Sequence, residues 1–344
     1  MGNWTSVQQQ KFPLKRRQKE SQYGGFGWKP DLPDNRDIMA YFPADVKPSS
    51  ASDLRRTEFM PDIYNQGKLG SCTANALVAA FEFDQRKQKL EDFLPSRQFL
   101  YYNERVIEGT TDYDSGASIR DGIKVLNRLG VCPEYDCPYA IDFFTERPSD
   151  KAYVDAGQHK AVNYRRLRVD VDEVTKALSN GIPVVFGFTV YESFESPDVA
   201  RTGIMPIPSR NEKVLGGHAV MAVGHDSKRR FLLIRNSWGP EWGQKGYFWM
   251  PYDFFTPKNC SDVWIIQRVK DTKTEKVEVS KPVVKETPKK EEPTEVVKVD
   301  EDGKEVITSD EVVNKVGSDE KYNFKEDLEE EDEDELIQED IDME

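Results

Sequence analysis

The chain has few cysteines and histidines, and this scarcity limits the chemistry that it can carry. Its 344 residues include 4 cysteines and 3 histidines. If one cysteine is used in catalysis, the other three cannot pair evenly, so a disulfide-stapled secreted fold is not expected. Cys132 and Cys137 flank a short segment, but no further thiolate or imidazole ligand lies near them in the sequence. We therefore predict no metal site, no cofactor and a reducing compartment.

Long apolar runs are also missing. No window approaches the ~18 consecutive apolar residues of a membrane-spanning helix. The N-terminus lacks the apolar segment of a secretory signal. These absences predict an intracellular, cytoplasmic protein that is not secreted.

Negative charge is concentrated at one end of the chain. The formal net charge is −14, yet residues 271–344 alone carry 28 Asp and Glu against 11 Lys. This segment has too little apolar surface to fold by itself, so we predict an acidic disordered tail over residues 270–344. Three roles are open for the tail: a solubilising segment, a docking segment for a basic protein partner, or an arm that returns to the rest of the chain. The charge balance does not favour nucleic-acid binding.

The most informative segment runs from Gln66 to Cys72. It places an amide side chain six residues ahead of a thiol, and Gly67 and Gly70 interrupt the loop between them. Apolar residues recur at helical spacing after Cys72, which predicts a helix that begins there with Ser71 as its N-cap. A helix N-terminus favours the thiolate over the thiol. The other interpretation is that Cys72 is a small buried apolar residue, as most free cysteines are.

Two further side chains complete a possible catalytic set. His218 lies in an apolar run that predicts a strand, and Asn236 follows in the segment Asn-Ser-Trp-Gly. A thiol, an imidazole and a carboxamide can act as nucleophile, base and orienting group.

With these three motifs in this order, residues 62–269 resemble the papain family of cysteine peptidases, in a microbial and viral branch without the secreted-type disulfides. The resemblance implies an α+β fold, in which a helical half faces an antiparallel β half across an active-site cleft. It implies Cys72 as nucleophile, His218 as its partner, Asn236 as orienting residue and Gln66 as oxyanion donor. The expected activity is that of an endopeptidase acting on proteins or peptides.

The resemblance also suggests residues that contact substrate. Gly116 and Ala117 are the nearest counterpart of a family Gly-Gly segment that pairs with the substrate backbone, and Trp238 is expected to shield the contact between His218 and Asn236. Phe186 and Phe188 suggest a preference for a hydrophobic substrate residue.

Two alternatives to hydrolysis stay open at this stage. One is a non-hydrolytic scaffold that is tethered to a membrane and recruits partners through its acidic tail. The other keeps the covalent chemistry but transfers the acyl group to an amine, as a ligase does. The intact set of four site residues favours hydrolysis over the scaffold.

The N-terminus divides into two predicted segments. Residues 1–21 form a basic arm whose Met-Gly-Asn-Trp-Thr-Ser start fits the N-myristoylation pattern. An acyl chain with adjacent lysines and arginines would bind an anionic membrane surface, and would make the protein membrane-associated or part of a virion. Residues 22–61 form an extension without a long amphipathic helix, and we predict that it stays packed on the catalytic core.

The pattern of apolar residues predicts the main elements, and the remaining histidines are assigned no chemistry. We expect His225 to be structural and His159 to be solvated at the surface. Helices are predicted from Cys72, near 97–106 and over 118–129, and strands over 182–190, 217–224, 231–236, 246–250 and 263–269.

Overall fold

A computed structural model describes residues 21–43 and 45–271. The predictions of an acylated arm before residue 21 and of a disordered acidic tail concern residues almost entirely outside this range. The helices are α1 (Cys72–Lys87), α2 (Arg97–Glu108), α3 (Ile119–Arg128), α4 (Asp150–Ala156), α5 (Val171–Ser179) and α6 (Pro197–Thr202). The strands are β1 (Ala51–Asp53), β2 (His159–Leu167), β3 (Val184–Tyr191), β4 (Val214–Asp226), β5 (Phe231–Arg235), β6 (Tyr247–Pro251) and β7 (Cys260–Asp271).

Helix α1 is the centre of the molecule. Every residue from Cys72 to Gln85 is buried, so the helix is covered on all sides and is not limited to one apolar face. It packs against α2 and α3 on one side and against strands β4 and β7 on the other. Its alanine-rich sequence makes this close approach possible, because small side chains let neighbouring elements pack near the helix axis.

Serine residues begin several of the helices. The side chain of Ser96 caps α2, and that of Ser118 caps α3. Ser118 also donates its hydroxyl to the Asp121 carboxylate, but its backbone N–H donates to Glu108, so only half of a capping box is formed. The cap predicted for α1 is wrong, because the Ser71 side chain makes no cap hydrogen bond and instead lies 2.6 Å from the Tyr139 hydroxyl.

The strands form one antiparallel sheet in the order β2-β7-β3-β4-β5-β6, and β1 pairs with the outer part of β4. Strands β3 and β4 lie in the middle; β3 is almost completely buried, and β4 is buried from His218 to His225. A helical half that packs on this sheet is the expected α+β, papain-like architecture, and the fold prediction is confirmed. In the described residues, no helix is long and apolar enough to cross a membrane.

The N-terminal extension lies on the core over its whole described length. Strand β1 adds to β4, the backbone of Met39 pairs with Arg166 on β2, and Trp28 pairs with Ala117 in the helical half. That the extension also stays on the core in solution remains a prediction.

Candidate active site

Cys72 is the first residue of α1, and its thiol points at strand β4. The backbone N–H of Ala219, the neighbour of His218, lies close enough to this thiol to lower its pKa. The residue is completely buried. The structure therefore brings the predicted thiol and the predicted histidine together from opposite halves of the fold.

His218 is hydrogen-bonded to Asn236. Its Nε2 atom lies 2.8 Å from Asn236 Oδ1. The same oxygen accepts the backbone N–H of Ser237 at 2.8 Å, which identifies it as the amide oxygen. Nε2 must therefore carry the proton, and Nδ1 keeps a free lone pair. Nδ1 is buried and has no hydrogen-bond partner in the described part of the chain.

Trp238 covers this pair. Its ring lies 4.9 Å from the imidazole of His218, and it also packs against Phe194 and Trp242. With 5% of its surface exposed, it is both a core tryptophan and a cover over the hydrogen bond between His218 and Asn236.

Gln66 lies in the same site and is fully hydrogen-bonded. Its Nε2 donates to the carbonyls of Leu69 at 2.8 Å and Gly25 at 3.1 Å, and its Oε1 accepts from the Ser237 hydroxyl at 2.5 Å. The amide that would stabilise an oxyanion thus already holds a carbonyl from the N-terminal extension.

That carbonyl belongs to a segment that runs through the cleft, residues 21–29, which we call the strap. Gly25 N–H donates to Gly67 O at 3.0 Å, and Gly27 N–H lies close enough to the Cys72 thiol to lower its pKa. Ala117 holds the strap by both backbone groups: its N–H donates to Gly27 O at 2.8 Å, and its carbonyl accepts from Lys29 N–H at 3.0 Å. The sequence-predicted Ala117 therefore faces the cleft.

The strap fits only because three of its residues are glycines. A Cβ on Gly24 would lie 2.2 Å from the Trp238 ring, and one on Gly27 would lie 1.7 Å from the carbonyl oxygen of Gly70. A Cβ on Gly25 would meet the carbonyl of Leu69 at 2.4 Å. Gly116, the other predicted substrate contact, has a positive φ, and its own Cβ would lie 1.9 Å from Gly27 O.

Burial under the strap keeps the Cys72 thiol and the His218 imidazole neutral. It raises the pKa of the Cys72 thiol to about 12, although backbone N–H donors oppose the change. It lowers the pKa of His218 to about 4, against the effect of the Asn236 hydrogen bond. In this closed arrangement the thiol is protonated and the imidazole is uncharged at neutral pH.

Several supporting residues were not found by sequence reasoning. The Asp114 carboxylate accepts the backbone N–H of Gly70 in the loop before the thiol, and Tyr139 OH donates to the Gln66 carbonyl. Glu104, completely buried, accepts from Thr73 Oγ1, and burial raises its pKa well above the usual value. These contacts join segments that are distant in sequence, so no local pattern indicated them.

The two remaining histidines have other partners. His225 lies between the Tyr252 hydroxyl, 3.1 Å away, and Ser179 Oγ, as expected of a structural residue. The surface position predicted for His159 is wrong: the side chain is buried, with its ring 4.4 Å from that of Phe93. Within the described residues, no group of three or more His, Cys, Asp or Glu side chains is placed to hold a metal ion.

Comparison with known proteins agrees with this geometry. The profile of the papain family cysteine proteases matches residues 48–262. An uncharacterized peptidase C1-like protein of Acanthamoeba polyphaga mimivirus is 42% identical over 272 residues, which cover 72% of this chain and 88% of that protein.

Solved structures of cysteine proteases are also similar to this chain. Xylellain, a cysteine protease from Xylella fastidiosa, is 41% identical with a TM-score of 0.69, and the match covers 75% of this chain and all of that one. Procathepsin B S9 from Trypanosoma congolense, at 14% identity and a TM-score of 0.59 over 72% of this chain and 87% of that one, shares the fold.

The chain belongs to the papain family of cysteine proteases. It is a cysteine peptidase of the microbial and viral type, and membership in this family implies protein or peptide substrates.

Proposed function

We propose that the protein is an endopeptidase in which Cys72 is the nucleophile and His218 is its acid–base partner. Asn236 orients the imidazole, and Gln66 together with the Cys72 backbone N–H stabilises the oxyanion. The thiolate attacks the substrate carbonyl carbon, His218 protonates the leaving amine, and a water activated by His218 releases the acyl group from sulfur.

One observation carries this proposal. The Nε2–H of His218 is held by Asn236, while the free lone pair on Nδ1 lies buried beside the strand residue that contacts the thiol. A base with its acceptor atom free and its other nitrogen fixed is the arrangement that proton abstraction from a thiol requires.

Catalysis also requires the strap to leave the cleft. Gly25 O occupies the Gln66 amide, and Gly27 N–H occupies the thiol. When water returns to the site, the penalty that keeps the thiol and imidazole neutral falls, and the position of Cys72 at the start of α1 favours the thiolate. The backbone groups of Gly116 and Ala117 that now hold the strap would then bind an extended substrate.

A thiol-reactive probe tests the assignment. Full-length protein is incubated with a vinyl-sulfone or epoxysuccinyl peptide, and the intact mass is measured. We expect one adduct on the wild type, none on Cys72→Ala and little on His218→Ala.

The matched control is Cys137→Ser, which changes a half-buried thiol outside the site and should leave the adduct in place. An adduct that persists on Cys72→Ala would contradict the proposal. The absence of an adduct from a variant whose strap has been opened by substitution would also contradict it.

Cellular location and further partners are also proposals. The described cysteines are all unpaired, which supports a reducing, intracellular compartment. Binding of a basic protein by the acidic tail, and of an anionic membrane by an acylated N-terminus, rests on the sequence alone.

A further inference from the structure

Two loops of the helical half form walls between which the strap passes. One wall is the loop that carries the thiol, where a Cβ on Gly27 would lie 1.7 Å from the carbonyl oxygen of Gly70. The other wall is the segment of Gly116 and Ala117, and Ala117 holds the strap by both backbone groups. A Cβ on Gly116 would lie 1.9 Å from Gly27 O, so this wall is equally close. The distance between the walls therefore determines where a chain bound to Ala117 lies relative to Cys72.

A chain of hydrogen bonds joins the two walls. The N–H of Gly70 donates to the Asp114 carboxylate, at 3.1 Å from Oδ1 and 2.9 Å from Oδ2. The Tyr101 hydroxyl donates to Asp114 Oδ1. The same hydroxyl accepts the N–H of Gly116 at 3.1 Å. We call this chain, which runs from Gly70 through Asp114 and Tyr101 to Gly116, the cross-link.

The carboxylate sets the direction of every bond in the cross-link. An ionised carboxylate only accepts hydrogen bonds, and a tyrosine hydroxyl has one hydrogen to donate. Because Tyr101 gives that hydrogen to Asp114, its oxygen lone pairs are left to accept the Gly116 N–H. Burial, and secondly the charge of Asp114, raises the pKa of Tyr101 far above its usual range, so the hydroxyl keeps this hydrogen.

Arg105 fixes the loop that carries Asp114. The residue is completely buried, and its guanidinium donates to the carbonyls of Thr111 at 2.9 Å and Tyr113 at 3.4 Å. The guanidinium also lies over the Tyr101 ring, 4.4 Å from the ring centroid. One buried side chain therefore holds both the Asp114 loop and the Tyr101 ring, so the carboxylate meets the hydroxyl although Asp114 itself is exposed.

We propose that Asp114 is a positioning residue, which acts through the cross-link to set the distance between the Cys72 thiol and a peptide bound to Ala117. The proposal rests on the peptidase function proposed above. The cysteines of the chain are all unpaired, so no disulfide holds these two loops together. The hydrogen bonds of Asp114 join them instead, and they do not depend on the redox state of the compartment.

The spacing of the walls matters more for peptide hydrolysis than for the reactivity of the thiol itself. Reacting atoms must lie about 3–3.5 Å apart, and a misplacement of about 1 Å can lower the rate about 100-fold. A peptide held by the Ala117 backbone moves relative to Cys72 when the spacing changes. A small alkylating reagent reaches Cys72 without binding Ala117, so its rate reports only the reactivity and the access of the thiol. The two rates should therefore separate when the cross-link is broken.

Two substitutions break the cross-link at different bonds. In Asp114→Asn, the NH₂ group replaces either Oδ1, which faces the Tyr101 hydroxyl, or Oδ2, which faces the Gly70 N–H. Either orientation places a donor against a donor. Tyr101→Phe keeps the buried ring and leaves the Gly116 N–H without its acceptor.

Each substitution has a matched control. Asp112→Asn removes the same charge from the same loop, two residues away from the cross-link. Tyr153→Phe removes a tyrosine hydroxyl that donates to Asn103 Oδ1 at 3.0 Å, outside the cleft. Both controls should keep the kcat of the protein into which they are introduced.

All variants are made in the full-length Gly27→Ala protein, in which the added Cβ opens the strap, and each is measured where circular dichroism shows it to be folded. Hydrolysis of a fluorogenic peptide gives kcat and KM, and alkylation of Cys72 by iodoacetamide, followed by mass spectrometry, gives the reactivity of the thiol. In Asp114→Asn and in Tyr101→Phe we expect kcat to fall about 10- to 100-fold, with KM and the alkylation rate close to those of the Gly27→Ala protein. The double variant should lose no more than the weaker single variant, because both residues act in one chain of hydrogen bonds.

The outcomes separate the positioning role from the peptidase mechanism. A loss of kcat in both variants, with alkylation retained and both controls fully active, supports the positioning role. Equal falls in kcat and alkylation, an unchanged kcat in Asp114→Asn, the same loss in Asp112→Asn, or losses that multiply in the double variant overturn it while the nucleophile stands. A folded Gly27→Ala protein whose Cys72 is not alkylated and which cleaves no peptide overturns the peptidase mechanism, and the positioning role with it.

Discussion

The extension before residue 40 is held in two different ways along its length. Over Cys72, residues 24–27 are attached through backbone hydrogen bonds and through glycines that allow close approach. Residues 31–39, which we call the anchor, are attached by charged side chains: Asp37 pairs with both Arg120 and Arg166, and the Asp31 carboxylate accepts from Arg120 N–H and Trp264 Nε1. A single methyl group added to one of these glycines can therefore displace residues 24–27 from the cleft, whereas the charged anchor would stay in place.

This difference separates opening of the cleft from release of the extension. A peptidase whose strap swings away from Cys72 while its anchor remains bound keeps its inhibitor close at high effective concentration. The predictions below test this separation, from the largest expected effect to the smallest.

Gln66 donates a hydrogen bond to the strap and, in our proposal, stabilises the oxyanion during the reaction. Gln66→Ala removes a hydrogen-bond donor to the oxyanion, which should lower kcat by about 10²–10³ in the opened Gly27→Ala background. Steady-state hydrolysis of a fluorogenic peptide measures the loss. Gln88→Ala, at the exposed end of α1, is the matched control and should keep full activity. Unchanged kcat in Gln66→Ala would show that this amide only holds the strap.

Gly27→Ala should open the cleft without unfolding the protein. The added Cβ would lie 1.7 Å from the backbone oxygen of Gly70, which cannot move aside as a flexible side chain can. We expect Cys72 to be labelled by a thiol probe at least about 10-fold faster than in the wild type, since a 1.4 kcal/mol loss of strap binding suffices for that factor.

Gly157→Ala, where the added Cβ meets no atom closer than 3.5 Å, should leave the labelling rate at the wild-type value. Equal rates for Gly27→Ala and the wild type would mean that the strap does not limit access to the thiol.

Asp37→Asn should loosen the anchor more than the cleft segment. It weakens ion pairs with Arg120 and Arg166, both of them largely buried, and should lower the free energy of attachment by about 1–3 kcal/mol. Amide hydrogen exchange should accelerate across residues 31–39, with a smaller change in the rate of Cys72 labelling. Asp198→Asn, at an exposed ion pair on α6, is the control. An equal rise in labelling and exchange would contradict the separation of the two segments.

The anchor should also respond to pH through Asp31. Burial, and secondly the neighbouring Asp262, raises the pKa of Asp31 from 3.8 to about 6. Because the attached state binds the proton more tightly, this group stabilises attachment fully below pH 4, and its contribution is lost as the pH rises through 6. Exchange in residues 28–37, corrected for intrinsic rates, should accelerate between pH 4.5 and 7, and Asp31→Asn should remove that dependence. The same acceleration in Asp31→Asn would assign it to another group.

The four residues of the candidate site were found from the sequence because each motif carries its chemistry locally, and their catalytic roles stay predictions. Gln66 and Cys72 share one loop, and the strand of His218 is recognisable from its apolar run. The strap was not predicted, because Gly24 and Gly25 indicate an ordinary turn, while the partners of the strap, such as Gly67, Ala117 and Gly217, are far away along the chain. The burial of His159 was missed for a related reason: its polar neighbours concealed strand β2, which turns the ring toward Phe93.

The hydrogen bonds between Gln66 and Ser237, which we call the clasp, restrict how the two halves of the fold can move. Gln66 N–H donates to Ser237 O at 2.9 Å, the Ser237 hydroxyl donates back to Gln66 Oε1, and the backbones of Asn65 and Trp238 pair beside them. The loop of Gln66 in the helical half and the segment of Asn236 and Ser237 in the sheet half are therefore joined directly. When the two halves of the fold move apart, they must move around this clasp. The Gln66 amide and the His218 imidazole therefore keep their relative position while the rest of the cleft widens.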